Sequence, residues 1–241
     1  MRFYFRYVQG WPEESVSASG IFGSSIHPAV QFPYGELLAG AGSPDLDTLL
    51  RVYQGEWRNR DLGGIRFGKN ETVDTLSQLA ERVLVAFQES DFADSGERIV
   101  AVEETLRGEV IPGMPDLLAR IDLVTESDDA VTVVDFKTSR SKWSVEQAEL
   151  SGEQLLLYSE LLRDIVPGKP LRLRFIVLTK TKAPSVEEFD VPRDPQRVDR
   201  TKRTAERIWR SIGVGHFWPS PSVANCTSCG FRKACAVWPG E

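Results

Sequence analysis

Two aspartates set inside apolar, β-branched runs constrain this chain more than any other feature. Residues 98–111 (RIVAVEETLRGEVI), 117–124 (LLARIDLV) and 130–138 (AVTVVDFKT) read as three consecutive antiparallel strands, the last two joined by the turn-like Glu126-Ser127-Asp128-Asp129. Asp122 follows Ile121 and precedes Leu123 and Val124, while Asp135 sits between Val134 and Phe136. A carboxylate in such a strand shifts its pKa and destabilises the fold unless it is paired or bound to a metal. Two of them on hairpin-related strands invite a common cation. Strand alternation puts Asp135 and Lys137 on one face and Phe136 on the other. Two carboxylates able to hold Mg2+ or Mn2+, beside an ammonium, suit phosphodiester hydrolysis. Spacing alone also allows the more ordinary alternative, an Asp135–Lys137 surface pair beside a turn.

The rest of the chain predicts an α/β architecture, a mixed sheet flanked by helices. Residues 145–165 form a helix with Leu150, Gln154, Leu157, Tyr158, Leu161 and Leu162 on one face, ended by Pro167-Gly168. LRLRFIVLTK and EEFDVP read as further strands, and residues 194–212 as a long charged helix. The first half holds an aromatic start, a Ser/Gly stretch at 15–25 and a Gly/Pro/Asp loop at 40–47, yet reads as mostly helical. Leu49, Leu50, Val52 and Tyr53, then Val73, Leu76, Leu79, Ala80, Val83, Leu84 and Phe87, recur at helical spacing. We expect one compact domain with a helical part at 1–97, a core sheet and helix at 98–192, and a basic helix with a cysteine motif at 193–241.

With 241 residues, 41% hydrophobic and 27% charged, the chain is long enough for a sizeable core. No run approaches the ~20 apolar residues that span a bilayer, and MRFYFRYVQG lacks the apolar stretch of a secretory signal, so the cytoplasm is the expected compartment. The net charge of -6 argues mildly against a protein that coats nucleic acid. Its distribution is uneven: Arg163, Lys169, Arg172, Arg174, Lys180 and Lys182 face only Asp164, and the helix-like stretch after them adds Arg193, Arg197, Arg200, Lys202, Arg203, Arg207 and Arg210 against Asp190, Asp194, Asp199 and Glu206. The C-terminal half therefore either presents a basic face or simply carries solvated surfaces.

Read in order, Ala119-x-x-Asp122, Val133-x-Asp135-x-Lys137-Thr138 and Gln154-x-x-x-Tyr158 resemble the GxxD, (V/I)xDxKT and QxxxY motifs of the RecB-like branch of the PD-(D/E)XK nucleases. Ala119 stands where that family usually has glycine. Gln154 and Tyr158, four apart, project from one helical face. The resemblance places that face beside the active site and makes Asp122, Asp135, Lys137, Gln154 and Tyr158 the catalytic set. Upstream, Phe22-Gly23-Ser24-Ser25-Ile26-His27 resembles the family's GxxxH segment, whose histidine is a further metal ligand. An imidazole beside two carboxylates favours Mn2+ over Mg2+. If Ser24 or Ser25 caps the helix, Pro28 falls in the first turn, where its missing N–H has no intrahelical acceptor.

Cys226, Cys229 and Cys235 form a C-x2-C-x5-C cluster after Phe217-Trp218-Pro219. Three crowded thiols suit zinc or iron better than a disulfide framework. Their spacing is similar to the C-terminal part of the iron-sulfur motif of CRISPR-associated exonucleases and helicase-nucleases, which implies a [4Fe-4S] cluster whose fourth cysteine lies near the N-terminus. This sequence has no fourth cysteine. Arg2-Phe3-Tyr4-Phe5 resembles the residues directly after that cysteine in the family, so an upstream extension is expected, with His216 as a lesser candidate ligand.

The resemblance implies a metal-dependent DNA exonuclease in recombination, repair, phage or CRISPR-associated processing. Its substrates would be single strands or duplex ends, and a helicase or CRISPR-associated protein its partner. The main rival is a non-catalytic DNA-binding or scaffolding subunit with a structural metal at the cysteines. A zinc-binding interaction module would explain the C-terminus alone and leave the central acids unaccounted for.

Overall fold

The computed structural model describes residues 1–58, 64–93, 96–163 and 168–238. Its N-terminal part is helical. A π-helical turn at Tyr4–Val8 leads to a two-residue strand β1 (Val16–Ser17), which pairs in parallel with β2 (Ile65–Arg66). Between them lie α1 (Ala18–Leu38) and α2 (Leu46–Arg58), and α3 (Val73–Gln88) comes next.

The start of α1 differs from expectation. Ser17 is the cap, its side chain accepting from the Gly20 amide, so the helix runs straight through the Ser/Gly stretch. Ser24 instead donates to the Ile21 carbonyl, Ser25 is buried, and Pro28 and Pro33 lie inside the helix rather than in its first turn. Packing outweighs these weak helix formers: Ile21, Phe22, Ser25, Ile26, Ala29 and Val30 form a buried helical stripe. α3 starts conventionally, Thr72 and Thr75 exchanging side-chain and backbone hydrogen bonds in a capping box.

The sheet has the order β3 (Arg98–Gly108), β4 (Leu117–Glu126), β5 (Val131–Ser139), β6 (Leu171–Thr179), β7 (Val186–Asp190). β5 and β6 are parallel and the other neighbours antiparallel, so the sheet is mixed, as expected. β5 is central, and all of its first six residues are buried, Thr132 and Asp135 included, which explains why the rest of that run is apolar. Phe136, Val134, Leu123 and Ile176 pack on α1 to α3. Val131, Val133, Ile121 and Phe175 pack on the opposite side with the helices of the β5–β6 crossover.

That crossover corrects the sequence reading. One helix is expected at 145–165, but α4 (Val145–Ser151) stops at Gly152 and α5 (Glu153–Leu162) restarts with a new phase. Leu150 is therefore 71% exposed, and Leu155, Leu156, Tyr158, Ser159 and Leu162 are the buried residues. The expected helix end at Ile165 and Pro167, and Asp164, lie outside the described residues. Beyond β7, α6 (Pro195–Gly213) is capped by Asp194, short helices α7 (Val223–Thr227) and α8 (Arg232–Ala236) carry Cys226 and Cys235, and Cys229 lies in the loop between them.

Much of the basic C-terminal half is neutralised internally. Glu160 binds Arg163, Arg193 and Lys202, Arg174 binds Glu188 and Asp190, and Lys169 binds Glu126. Among the described residues no helix is long and apolar enough to cross a membrane.

The break at Gly152 makes a test. A Cβ there would lie 2.4 Å from Val191 Cγ1 and 3.2 Å from the Glu149 carbonyl oxygen. Gly152→Ala should destabilise the protein by about 1–3 kcal/mol in urea titration, the usual cost of overpacking. Adding Val191→Ala should return part of the loss, beyond what the two single changes sum to; strict additivity would contradict this packing.

Candidate active site

The site forms where β4 and β5 part. Their ladder ends at Leu123 opposite Val134, although β5 goes on pairing with β6 through Ser139. One more step in that register would set Asp122 opposite Asp135. Like charges directly opposite destabilise a ladder, and here the strands separate instead. On β4's other side the pairs Val102–Leu123 and Glu104–Ile121 keep one register around Glu103, which takes φ +52, a left-handed conformation uncommon for a non-glycine residue. The alternation of β4 shifts at this point: Ile121 packs on one side of the sheet and Leu123 on the other.

Asp122 fills the gap between the strands. Its Oδ2 accepts the Phe136 amide at 2.8 Å, satisfying a donor that β4 no longer serves. Its Oδ1 accepts from Gln31 Nε2 at 2.9 Å, and His27 Nδ1 stands 3.6 Å from Oδ2. His27 and Gln31 are one helical turn apart on α1. α1 can come this close because residue 23 is glycine, where a Cβ would lie 3.0 Å from Thr138 Oγ1, next to Lys137. Gln31 is the residue the sequence reading missed. The signal available was its position four after His27, on the same helical face.

Asp135 is buried and Lys137 Nζ lies 2.5 Å from its Oδ2. Among the described residues no well-directed hydrogen bond reaches that oxygen, so the contact is ionic. Burial pushes the Asp135 carboxyl up, partly countered by Lys137 and reinforced by the Asp122 charge, with His27 pulling weakly the other way. These four groups thus share one electrostatic neighbourhood. Lys137 also lies 5.6 Å over the Phe175 ring.

Gln154 Nε2 donates to the Tyr158 hydroxyl at 2.5 Å, and Tyr158 packs in the same apolar cluster as Phe175. The pair is therefore on Lys137's side of the sheet. Among the described residues, no hydrogen bond or ion pair joins it to Lys137 or either aspartate. Nor do three His, Cys, Asp or Glu side chains there close into a ready-made metal cage. Cys226, Cys229 and Cys235 are free thiols lining one cavity of about 650 Å3 together with Met1, Arg2 and Phe3.

Strands that part around paired acids, with a lysine two residues beyond the second, define a PD-(D/E)XK-type core. The model of the PD-(D/E)XK nuclease superfamily matches residues 1–236, and the chain belongs to that superfamily. No curated protein matches it. Among solved structures, a candidate exonuclease from Eubacterium rectale is 16% identical, with a TM-score of 0.51 over 98% of this chain and 93% of its own. The structure of SSO0001 is also 16% identical, with a TM-score of 0.40 over 95% and 88%.

Because burial raises the Asp135 pKa, its ionised form is a cost to the fold in the absence of a cation. A carboxyl with a raised folded pKa stabilises below its unfolded pKa and loses that contribution as pH rises through the folded value. Asp135→Asn should therefore raise Tm in EDTA at neutral pH, and the gain should shrink on acidification through the carboxylate range. A lower Tm at neutral pH would mean that the Lys137 ion pair outweighs burial.

Proposed function

We propose that this chain is a RecB-like DNA nuclease, cytoplasmic and acting as an exonuclease on single strands or duplex ends, in recombination, repair or defence-related DNA processing. The observation that carries the reading is the shared environment of Asp122, Asp135, Lys137 and His27 at the parting of β4 and β5.

The donor chemistry fits a divalent cation. Asp135 Oδ2 is a buried oxygen without a directed hydrogen bond among the described residues, and two carboxylates and an imidazole are a set that Mg2+ or, better, Mn2+ accepts. Asp122, Asp135 and His27 would hold it. A cation there supplies an acidified water and neutralises charge on the phosphate. Gln31 and the Phe136 amide fix the orientation of Asp122, leaving it little freedom to turn away. The Lys137 ammonium, partly buried at 31% side-chain exposure, is placed to stabilise negative charge growing on the phosphate oxygens. Gln154 and Tyr158 lock each other and would orient the strand.

For the cysteines, we propose a structural metal, zinc or a [4Fe-4S] cluster. The supporting feature is that the N-terminal residues Met1, Arg2 and Phe3 line the cavity with the three thiols, and a fourth ligand would have to join them.

End-labelled single- and double-stranded DNA incubated with Mg2+, Mn2+ or EDTA tests the main reading. Cleavage should need metal and proceed from ends. Asp135→Asn and Lys137→Ala should each lower the rate by roughly 100- to 10,000-fold, and Gln154→Ala and Tyr158→Ala by less. Wild-type rates in either of the first two would refute the assignment, while binding without cleavage would favour the scaffolding subunit.

A further inference from the structure

Lys180 stands apart from the other basic residues of the C-terminal half. It comes directly after β6, and its amide donates to the Ser139 carbonyl at 2.6 Å, fixing it at the C-terminal edge of the parallel β5–β6 pair. Its ammonium turns toward α1, donating to Ser19 Oγ at 2.9 Å and lying 5.5 Å over the Phe22 ring. Among the described residues no carboxylate lies within ion-pair distance of it, whereas Lys169, Arg174 and Lys202 each have one. A lysine this enclosed is ordinarily paired.

The surroundings add positive charge rather than remove it. Arg140, one residue past β5, acts on Lys180 as a like charge. The nearby acid, Glu71, is already engaged by Arg140 at 3.4 Å and by the Gly68 amide at 2.7 Å. Ser19 belongs to the first turn of α1, which holds no acidic residue, and a helix begins at its positive end. Burial, followed by Arg140, pulls the Lys180 pKa down to about 8. Two cations and a helix start thus meet at one sheet edge with a single, already occupied carboxylate.

An anion would relieve this arrangement, and on the nuclease reading the polyanion at hand is the DNA backbone. Lys137 pairs across the sheet with Val177, and Lys180, three residues further on, falls by strand alternation on the opposite face, toward α1, the helix that brings His27 to Asp122.

We propose that Lys180, assisted by Arg140, binds a backbone phosphate of the substrate strand on the α1 side of the sheet, flanking the scissile bond. This rests on the nuclease reading. Lys180 is a positioning residue, contacting no reacting atom.

Equilibrium binding of end-labelled oligonucleotides in EDTA across a salt series tests it. Lys180→Met keeps the apolar stem over Phe22 and removes the charge. It should bind about eightfold more weakly at 0.1 M salt, with a log–log salt slope smaller by about 0.9, the loss of one released counterion. Its Tm should be unchanged or raised, because an unmatched buried charge is gone. Lys180→Arg should retain the slope. In a methylphosphonate scan along the strand, one neutral substitution away from the mapped cleavage position should weaken wild-type binding similarly, and should weaken Lys180→Met no further. Wild-type affinity and slope in Lys180→Met, or a lowered Tm with unchanged binding, would overturn the assignment while leaving the nuclease reading intact. A wild-type protein that neither binds nor cuts DNA would overturn both.

Discussion

The hydrogen bond from the Phe136 amide to the Asp122 carboxylate is the contact on which the site is built. Where β4 and β5 stop pairing, a central strand is left with a backbone donor that must find an acceptor. Asp122 provides it, so the carboxylate is held by the sheet itself before any ligand arrives. The same parting keeps Asp122 and Asp135 from facing each other across a closed ladder, while leaving them near enough for Asp122 to raise the Asp135 pKa. The left-handed Glu103 on β3 accommodates the irregularity on the far side of β4.

α1 completes the site at some expense to its own stability. Its sequence contains glycines, serines and two prolines, all poor interior helix residues. Each has a reason in the packing or is tolerated because of it. Gly23 permits the approach to Thr138, and the apolar stripe from Ile21 to Val30 seats the helix firmly on the sheet. What the helix delivers is an imidazole and an amide, four residues apart, on one carboxylate. Gln31 is almost wholly buried with its Oε1 lacking a partner among the described residues, a further sign that polar groups here are arranged for something other than stability.

Charge is allotted unevenly across the molecule. Glu160 gathers three cations and ties α5 to α6 and the chain before it, and Arg174 is clamped by two acids of β7. Those cations belong to the architecture and are poorly placed to add to a field for a polyanion. The enclosed Lys180, with no carboxylate at ion-pair distance among the described residues, lies instead at the edge where β5 and β6 end, the C-terminal edge of parallel strands.

The sequence by itself determined the strands, their mixed-sheet context and the central residues Asp122, Asp135 and Lys137, because polar groups inside apolar period-two runs are legible without coordinates. The ordered motifs also marked His27, Gln154 and Tyr158. Only the tertiary structure decided how α1 begins, because Ser/Gly propensity was overruled by burial of one helical face, and where the crossover helix breaks, because Gly152 is required by Val191 from a distant strand end. It likewise decided that Arg163, Lys169, Arg174, Arg193 and Lys202 are paired and that Lys180 has no carboxylate at ion-pair distance among the described residues, since ion pairs form between segments remote in sequence. Gln31 joined the site for the same reason: its partner Asp122 lies 91 positions away, a separation that local periodicity does not encode.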